Sequence, residues 1–76
     1  MEQAYILLSC DIGKEQELAS QLRPYEEIKS VMITYGDYDI VIEAETKDSD
    51  QMDNLLTSKI RKLEKIRSTV TLNVTV

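Results

Sequence analysis

Hydrophobic residues along this chain change period in a fixed order: alternating, helical, alternating, alternating, helical, alternating. That order constrains the fold more than any single motif does. Residues 4–12 alternate, with Ala4, Ile6, Leu8, Cys10 and Ile12 on one face and Tyr5, Leu7, Ser9 and Asp11 on the other. This predicts a strand with one fully buried face and a half-apolar reverse. Gly13 opens a helical stretch over 14–23, where Leu18, Ala19 and Leu22 make the apolar stripe and Glu15 and Glu17 suit the positive helix N-terminus. Pro24 stops it, because the residue before a proline is pushed out of the α region.

A second strand is expected from Ile28 to Tyr35, with Val31, Ile33 and Tyr35 on one face and Ser30, Met32 and Thr34 on the other. Gly36-Asp37 is a turn signal, and a third strand follows over 38–45, making a hairpin. Asp48 is the expected N-cap of a second helix, with Gln51 in capping-box register. Met52, Leu55, Leu56, Ile60 and Leu63 give that helix one apolar face, and Lys59, Arg61 and Lys62 suit its C-terminal end. The last residues alternate again, with Ile66, Val70, Leu72, Val74 and Val76 expected on one face and Arg67, Thr69, Thr71, Asn73 and Thr75 on the other.

The order β-α-β-β-α-β is the ferredoxin-like arrangement of the α+β class. Right-handed crossovers give an antiparallel sheet in the order 4-1-3-2, with both helices on one face. Ile6, Leu8, Val31, Ile33, Ile40, Ile42, Val70 and Leu72 are expected under the helices. No linker or repeat divides residues 1–76, which read as one domain.

Composition narrows the function. A 76-residue chain that is 42% hydrophobic has one small core, and cores of this size supply only about 3–5 kcal/mol. With one cysteine and no histidine, an internal disulfide is excluded and the commonest metal ligand is missing, so self-association is the expected supplement. The lone thiol, the lack of an apolar run of membrane-spanning length and the absence of a basic stretch after Met1 point to a cytoplasmic protein that keeps clear of membranes. A net charge of −5 argues against direct nucleic-acid binding, which needs phosphate neutralisation. The charges are sorted: residues 35–53 hold seven acids and one base, and residues 59–67 hold five bases and one acid. Dipole complementarity on a solvated helix accounts for this; an anion site around Arg61, Lys62 and Arg67 is the sharper reading.

On the reverse face of the sheet, Tyr5, Leu7, Met32 and Val41 form an expected apolar patch, rimmed by Ser9, Thr34, Asp39, Thr69, Thr71 and Asn73. Such a patch marks an association or ligand surface. No catalytic constellation is present: there is no imidazole to activate a nucleophile, and Cys10 falls on the buried face. Asp48, Ser49 and Asp50 resemble the start of a calcium loop, but the glycine and distal glutamate it requires are missing. No metal or cofactor is expected.

The stretch Val31-Met32-Ile33-Thr34-Tyr35-Gly36-Asp37-Tyr38-Asp39-Ile40-Val41-Ile42 resembles the central hairpin of the Lrp/AsnC effector-binding domain, or RAM domain. The alternating threonines of the last strand and the entry Ile12-Gly13 into the first helix are similar too. The resemblance implies a small-molecule sensor, a homodimer formed through the sheets as a dimeric α/β barrel, and a higher assembly of dimers. It implies effector binding near the hairpin turn, at Tyr35, Gly36, Asp37, Tyr38 and Asp39, with Ser68, Thr69 and Thr71 as further candidates. The chain starts at the first strand, without a helix-turn-helix, so a stand-alone module working beside a DNA-binding regulator is expected. Tyr35 before Gly36 keeps open a planar, nucleotide-like ligand instead of an amino acid. A ligand-free oligomerisation module and a small dimeric α/β-barrel enzyme are the remaining alternatives.

Overall fold

The computed structural model describes residues 1–75. Strands β1 (Glu2–Cys10), β2 (Ile28–Ile33), β3 (Ile40–Thr46) and β4 (Ile66–Asn73) form one sheet in the order β2-β3-β1-β4, every pairing antiparallel. Helix α1 (Glu15–Leu22) links β1 to β2, and α2 (Ser49–Asn54) starts the link from β3 to β4. This is the ferredoxin-like β-α-β-β-α-β topology, in the strand order expected from the sequence. Among the described residues, no helix is long and apolar enough to cross a membrane.

Both helices bury against the same side of the sheet. Leu18 and Leu22 of α1, and Met52 and Leu55 on the second connection, pack with Ala4, Ile6, Leu8, Cys10, Ile40, Ile42 and Ala44 in one core. These are the alternate residues of β1 and β3, because a pleated strand sends successive side chains to opposite faces. Ile33 leaves the expected core: at the end of the edge strand it is 40% exposed.

Strand β4 corrects the sequence reading more sharply. Ser9 pairs with Ser68 but Cys10 pairs with Ile66, so Arg67 is an extra residue in the ladder. A one-residue bulge reverses the facing of everything beyond it. Ile66 stays on the helix side and packs against the core. Beyond the bulge, Thr69 pairs with Leu8 and Thr71 with Ile6, which places both threonines under the helices. Val70 pairs with Leu7 and Leu72 with Tyr5, so Val70 and Leu72 belong to the reverse face, not to the helix-side core. Asn73, paired with Ala4, moves to the helix side with the threonines. The expected position of Val76 lies outside the described residues.

The second helix also departs from regular α geometry. Asp48 caps it as expected, its Oδ1 accepting from the Gln51 N–H at 2.9 Å, while Gln51 Oε1 accepts from the Lys47 N–H at 3.0 Å. From Leu55 to Ile60 the helix widens into a π-helix, with the Arg61 N–H reaching the Leu56 carbonyl. Leu55 and Ile60 stand five residues apart and are both fully buried. Five residues overshoot one α-turn, so the two side chains would diverge; bonding at i→i−5 brings both to the core. The Thr57 hydroxyl donates to the Asp53 carbonyl at 2.8 Å, drawing that carbonyl away from the regular ladder. Asp48→Ala is expected to destabilise the domain by about 1 kcal/mol through the lost cap. A thermal melt unchanged within error would contradict that role.

Candidate functional site

The hairpin between β2 and β3 closes more loosely than the sequence suggests. β2 ends at Ile33 and β3 begins at Ile40. The Thr34 N–H donates to the Asp39 carbonyl at 2.8 Å, and the Thr34 hydroxyl donates to the Tyr38 carbonyl at 2.8 Å. Beyond these two clasps the loop 35–38 leaves the strand ladder. Tyr35, Gly36 and Asp37 are exposed, the Tyr35 ring completely so, and Tyr38 is half-buried.

Gly36 adopts φ +138°, a region that side-chain-bearing residues rarely occupy. A Cβ built there meets no atom within 4 Å, so the requirement for glycine is set by the backbone and not by crowding. Among the described residues, no protein acceptor takes the backbone N–H of Tyr35, Gly36, Asp37 or Tyr38. Consecutive free N–H groups of this kind can receive an anionic group.

Asp39 has a second task that its sequence position does not reveal. Its own N–H donates to the Leu8 carbonyl at 2.8 Å, and its Oδ2 accepts from the Cys10 N–H at 2.9 Å. The carboxylate stands in for a strand carbonyl where β3 leaves its neighbour, and it ties the turn to the end of β1. Ser9 adds a longer bond, its hydroxyl donating to the Asp37 carbonyl at 3.4 Å. Ser68 faces Ser9 across the β1–β4 ladder, at the same end of the sheet as the turn. Thr69 and Thr71 lie one and three residues further along, on the opposite face.

Cys10 is buried. Burial pushes its thiol pKa up, and the negative charges of Asp39, Glu15 and Asp11 and a hydrogen bond to Asp39 push it further. The thiol therefore stays protonated and unreactive at neutral pH. Among the described residues, no group of three acidic, cysteine or histidine side chains is placed to hold a metal.

The basic segment 59–67 divides. Lys59 pairs with Glu27 at 2.8 Å and lies 5.0 Å from the centre of the Tyr25 ring. Lys65 pairs with Glu17 at 2.7 Å. The Lys59 ammonium holds the Glu27 carboxyl below its ordinary pKa, chiefly through their hydrogen bond. Arg61, Lys62 and Arg67 are exposed and have no ion pair among the described residues.

The reverse face carries a single apolar row across all four strands, Met32–Val41–Leu7–Val70, set by register. The next row is Ser30–Glu43–Tyr5–Leu72. Met32 is 46% exposed and Leu72 52%. The sequence found Tyr5, Leu7, Met32 and Val41 but missed Val70 and Leu72. Only the unpaired Arg67 distinguishes the two possible phases of β4. Two clefts among the described residues, one of about 530 Å³ near Glu27, Glu45 and Gln51 and one near Glu2, Asp53 and Asn73, lie away from the turn.

The chain thus combines a ferredoxin-like sheet with a hairpin turn whose N–H groups have no protein acceptor among the described residues. The sequence model of the Lrp/AsnC ligand binding domain matches residues 3–75, and the chain belongs to that family. The HTH-type transcriptional regulator FL11 of Pyrococcus furiosus is 39% identical over 93% of this chain. That match covers 46% of the regulator, so the chain spans about half the length of this curated relative. Among solved structures, FFRP-DM1 superposes with a TM-score of 0.95 at 35% identity, covering 99% of this chain and 100% of the other. E. coli AsnC superposes with a TM-score of 0.87 at 26% identity, over 99% of this chain and 51% of that one.

Two variants separate the roles within the turn. Gly36→Val is expected to cost roughly 1–3 kcal/mol, because valine must adopt a backbone conformation its branched side chain resists. Asp39→Ala should cost about 1–3 kcal/mol by orphaning the Cys10 N–H, while Asp39→Asn retains an acceptor oxygen and should cost less. Urea titration of the three proteins reads the order. An Asp39→Ala midpoint equal to that of the parent would contradict the clasp.

Proposed function

We propose that this chain is the sensing and assembly module of an Lrp/AsnC-type regulator. It takes a small metabolite, an amino acid, at a subunit interface beside the turn 35–39. The observation that carries this reading is the run of free backbone N–H groups at Tyr35, Gly36, Asp37 and Tyr38 next to the Asp39 carboxylate. The amides suit the ligand's carboxylate; Asp37 and Asp39 suit its ammonium. Ser68 stands on the same end of the sheet and is the best placed of the strand-four candidates. Thr69 and Thr71, on the helix side, can contribute only through the end of the strand.

The site is open in a single chain, so a neighbouring copy has to close it. The apolar reverse face supplies the contact: Tyr5, Leu7, Met32 and Val41, joined by Val70 and Leu72, make a dimer through the sheets in the manner of a dimeric α/β barrel. Dimers then associate further near the turns. A regulator carrying the DNA-binding function is the partner through which ligand occupancy reaches DNA. The chain's own net charge of −5 disfavours direct binding to nucleic acid. The protonated Cys10 and the lack of histidine favour sensing over catalysis.

A second reading has its own observation. The fully exposed Tyr35 ring can stack on a planar base, which favours a nucleotide-like ligand. Native mass spectrometry against a panel of amino acids and nucleotides tests both. Assemblies of dimers that retain an amino acid support the first reading. Nucleotide retention alone supports the second. A monomer that retains nothing overturns both.

A further inference from the structure

We propose that Arg67, the extra residue in the β4 ladder, is the side chain that reads the anionic end of the ligand; this rests on the reading of the 35–39 turn as the ligand site. A bulge frees a side chain from the strict alternation of its strand, and bulges recur beside functional sites for that reason. Arg67 is exposed and, among the described residues, forms no ion pair. It differs in this from Lys59 and Lys65, which are committed to Glu27 and Glu17.

Its position ties it to the turn. The neighbouring Ser68 faces Ser9, and the Ser9 hydroxyl bonds to the Asp37 carbonyl. Arg67 therefore stands about two strand spacings, roughly 10 Å, from the loop. A zwitterionic amino acid with an extended arginine side chain spans that gap. The end of the sheet also carries Asp11, Glu15 and Asp39, close enough to raise the Cys10 pKa, and the Lys65 beside Asp11 is already paired with Glu17. An anion arriving at the free amides meets those carboxylates, and a guanidinium beside it offsets the repulsion. The planar fork of arginine also matches a carboxylate or phosphate with two parallel hydrogen bonds, which lysine does not offer.

The test is isothermal titration of the 76-residue chain with each standard L-amino acid, with the carboxamide of any that binds, and with AMP. The parent protein is expected to prefer the acid to its carboxamide. Arg67→Gln should weaken the acid tenfold or more, barely change the carboxamide, and leave the melting temperature unchanged. Arg67→Lys should fall between, because it keeps the charge and loses the fork. A preference for the acid that survives in Arg67→Gln overturns the assignment, as does a parent protein that binds acid and carboxamide equally; in both cases the sensor reading stands. Binding of AMP alone, weakened by Arg67→Gln and competed by inorganic phosphate, upholds Arg67 with phosphate as the anion and removes the amino-acid reading. Binding of AMP alone that Arg67→Gln leaves unchanged overturns both, and so does a parent protein that binds neither class.

Discussion

Leu7→Glu is expected to leave the chain monomeric at micromolar concentration, where the parent protein is expected to be a dimer or larger. Leu7 occupies the centre of the Met32–Val41–Leu7–Val70 row, on a strand with neighbours on both sides. A carboxylate there must lose its water when a second sheet closes over it, and no basic side chain lies in the row to pair with it. The penalty for an unpaired buried ion is several kcal/mol. At about 1.4 kcal/mol per decade, a loss of about 4 kcal/mol weakens association roughly a thousandfold.

Val70→Glu should behave in the same way, and it tests the bulge as well as the interface. If β4 kept uninterrupted alternation in the phase expected from sequence, residue 70 would face the helices, and the substitution would unfold the domain instead of dissociating it. Sedimentation or light scattering, read beside a circular dichroism spectrum, separates these outcomes. A parent protein that is a stable monomer, or a Leu7→Glu dimer of unchanged affinity, would sink the proposed interface.

Leu8→Ala should be the most damaging conservative change to the fold. Leu8 is fully buried, on central β1, paired with Ile40 on one side and Thr69 on the other. Truncating a buried leucine costs about 2–5 kcal/mol, part of it from the cavity left behind. That is comparable to the roughly 3–5 kcal/mol a core of this size supplies. The monomer should then be largely unfolded, with any remaining structure dependent on protein concentration, because association with a folded partner is linked to folding. In a domain of this size each kcal/mol moves the melting temperature by about 4–8 °C, so a fall of at least roughly 10 °C is expected. Leu72→Ala is the control: an exposed leucine on the reverse face should alter assembly far more than monomer stability. A Leu8→Ala melt within a few degrees of the parent would show that the core is not organised as described.

The turn illustrates how far residue types alone reach. Gly36 between tyrosines and aspartates marks a hairpin, and the positive φ there follows from the turn. What Asp39 does could not be read in this way. Its carboxylate reaches the Cys10 N–H, a residue 29 positions away, and that contact exists only because β1 and β3 are neighbours in the sheet. An aspartate that looks free for a ligand is half-engaged in holding a strand end. The widening of the second helix at Leu55–Ile60 escaped the sequence for a similar reason. The apolar stripe fits an α-helix closely enough, and only the shape of the core requires Leu55 and Ile60 to point the same way.

By itself the sequence determined the order of the elements, the core-facing residues of β3 and, apart from Ile12, which lies beyond β1 and is 93% exposed, those of β1, the cap at Asp48 and the hairpin at Gly36. Each of these depends on local chemistry: side-chain alternation, helical spacing, a carboxylate near free amides, a glycine in a strained conformation. The tertiary structure decided which face of β4 carries its apolar residues. A period of two divides a strand into two sets but does not say which set faces which neighbour. On β4 the natural guess sends Val70 and Leu72 to the core and the threonines to the other side. The register with β1 does the opposite, because Arg67 takes no place in the ladder and every later side chain is turned over. That single unpaired residue lengthens the apolar row on the reverse face, moves Thr69 and Thr71 beneath the helices, and leaves an arginine without an ion pair, among the described residues, at the end of the sheet where the turn 35–38 stands.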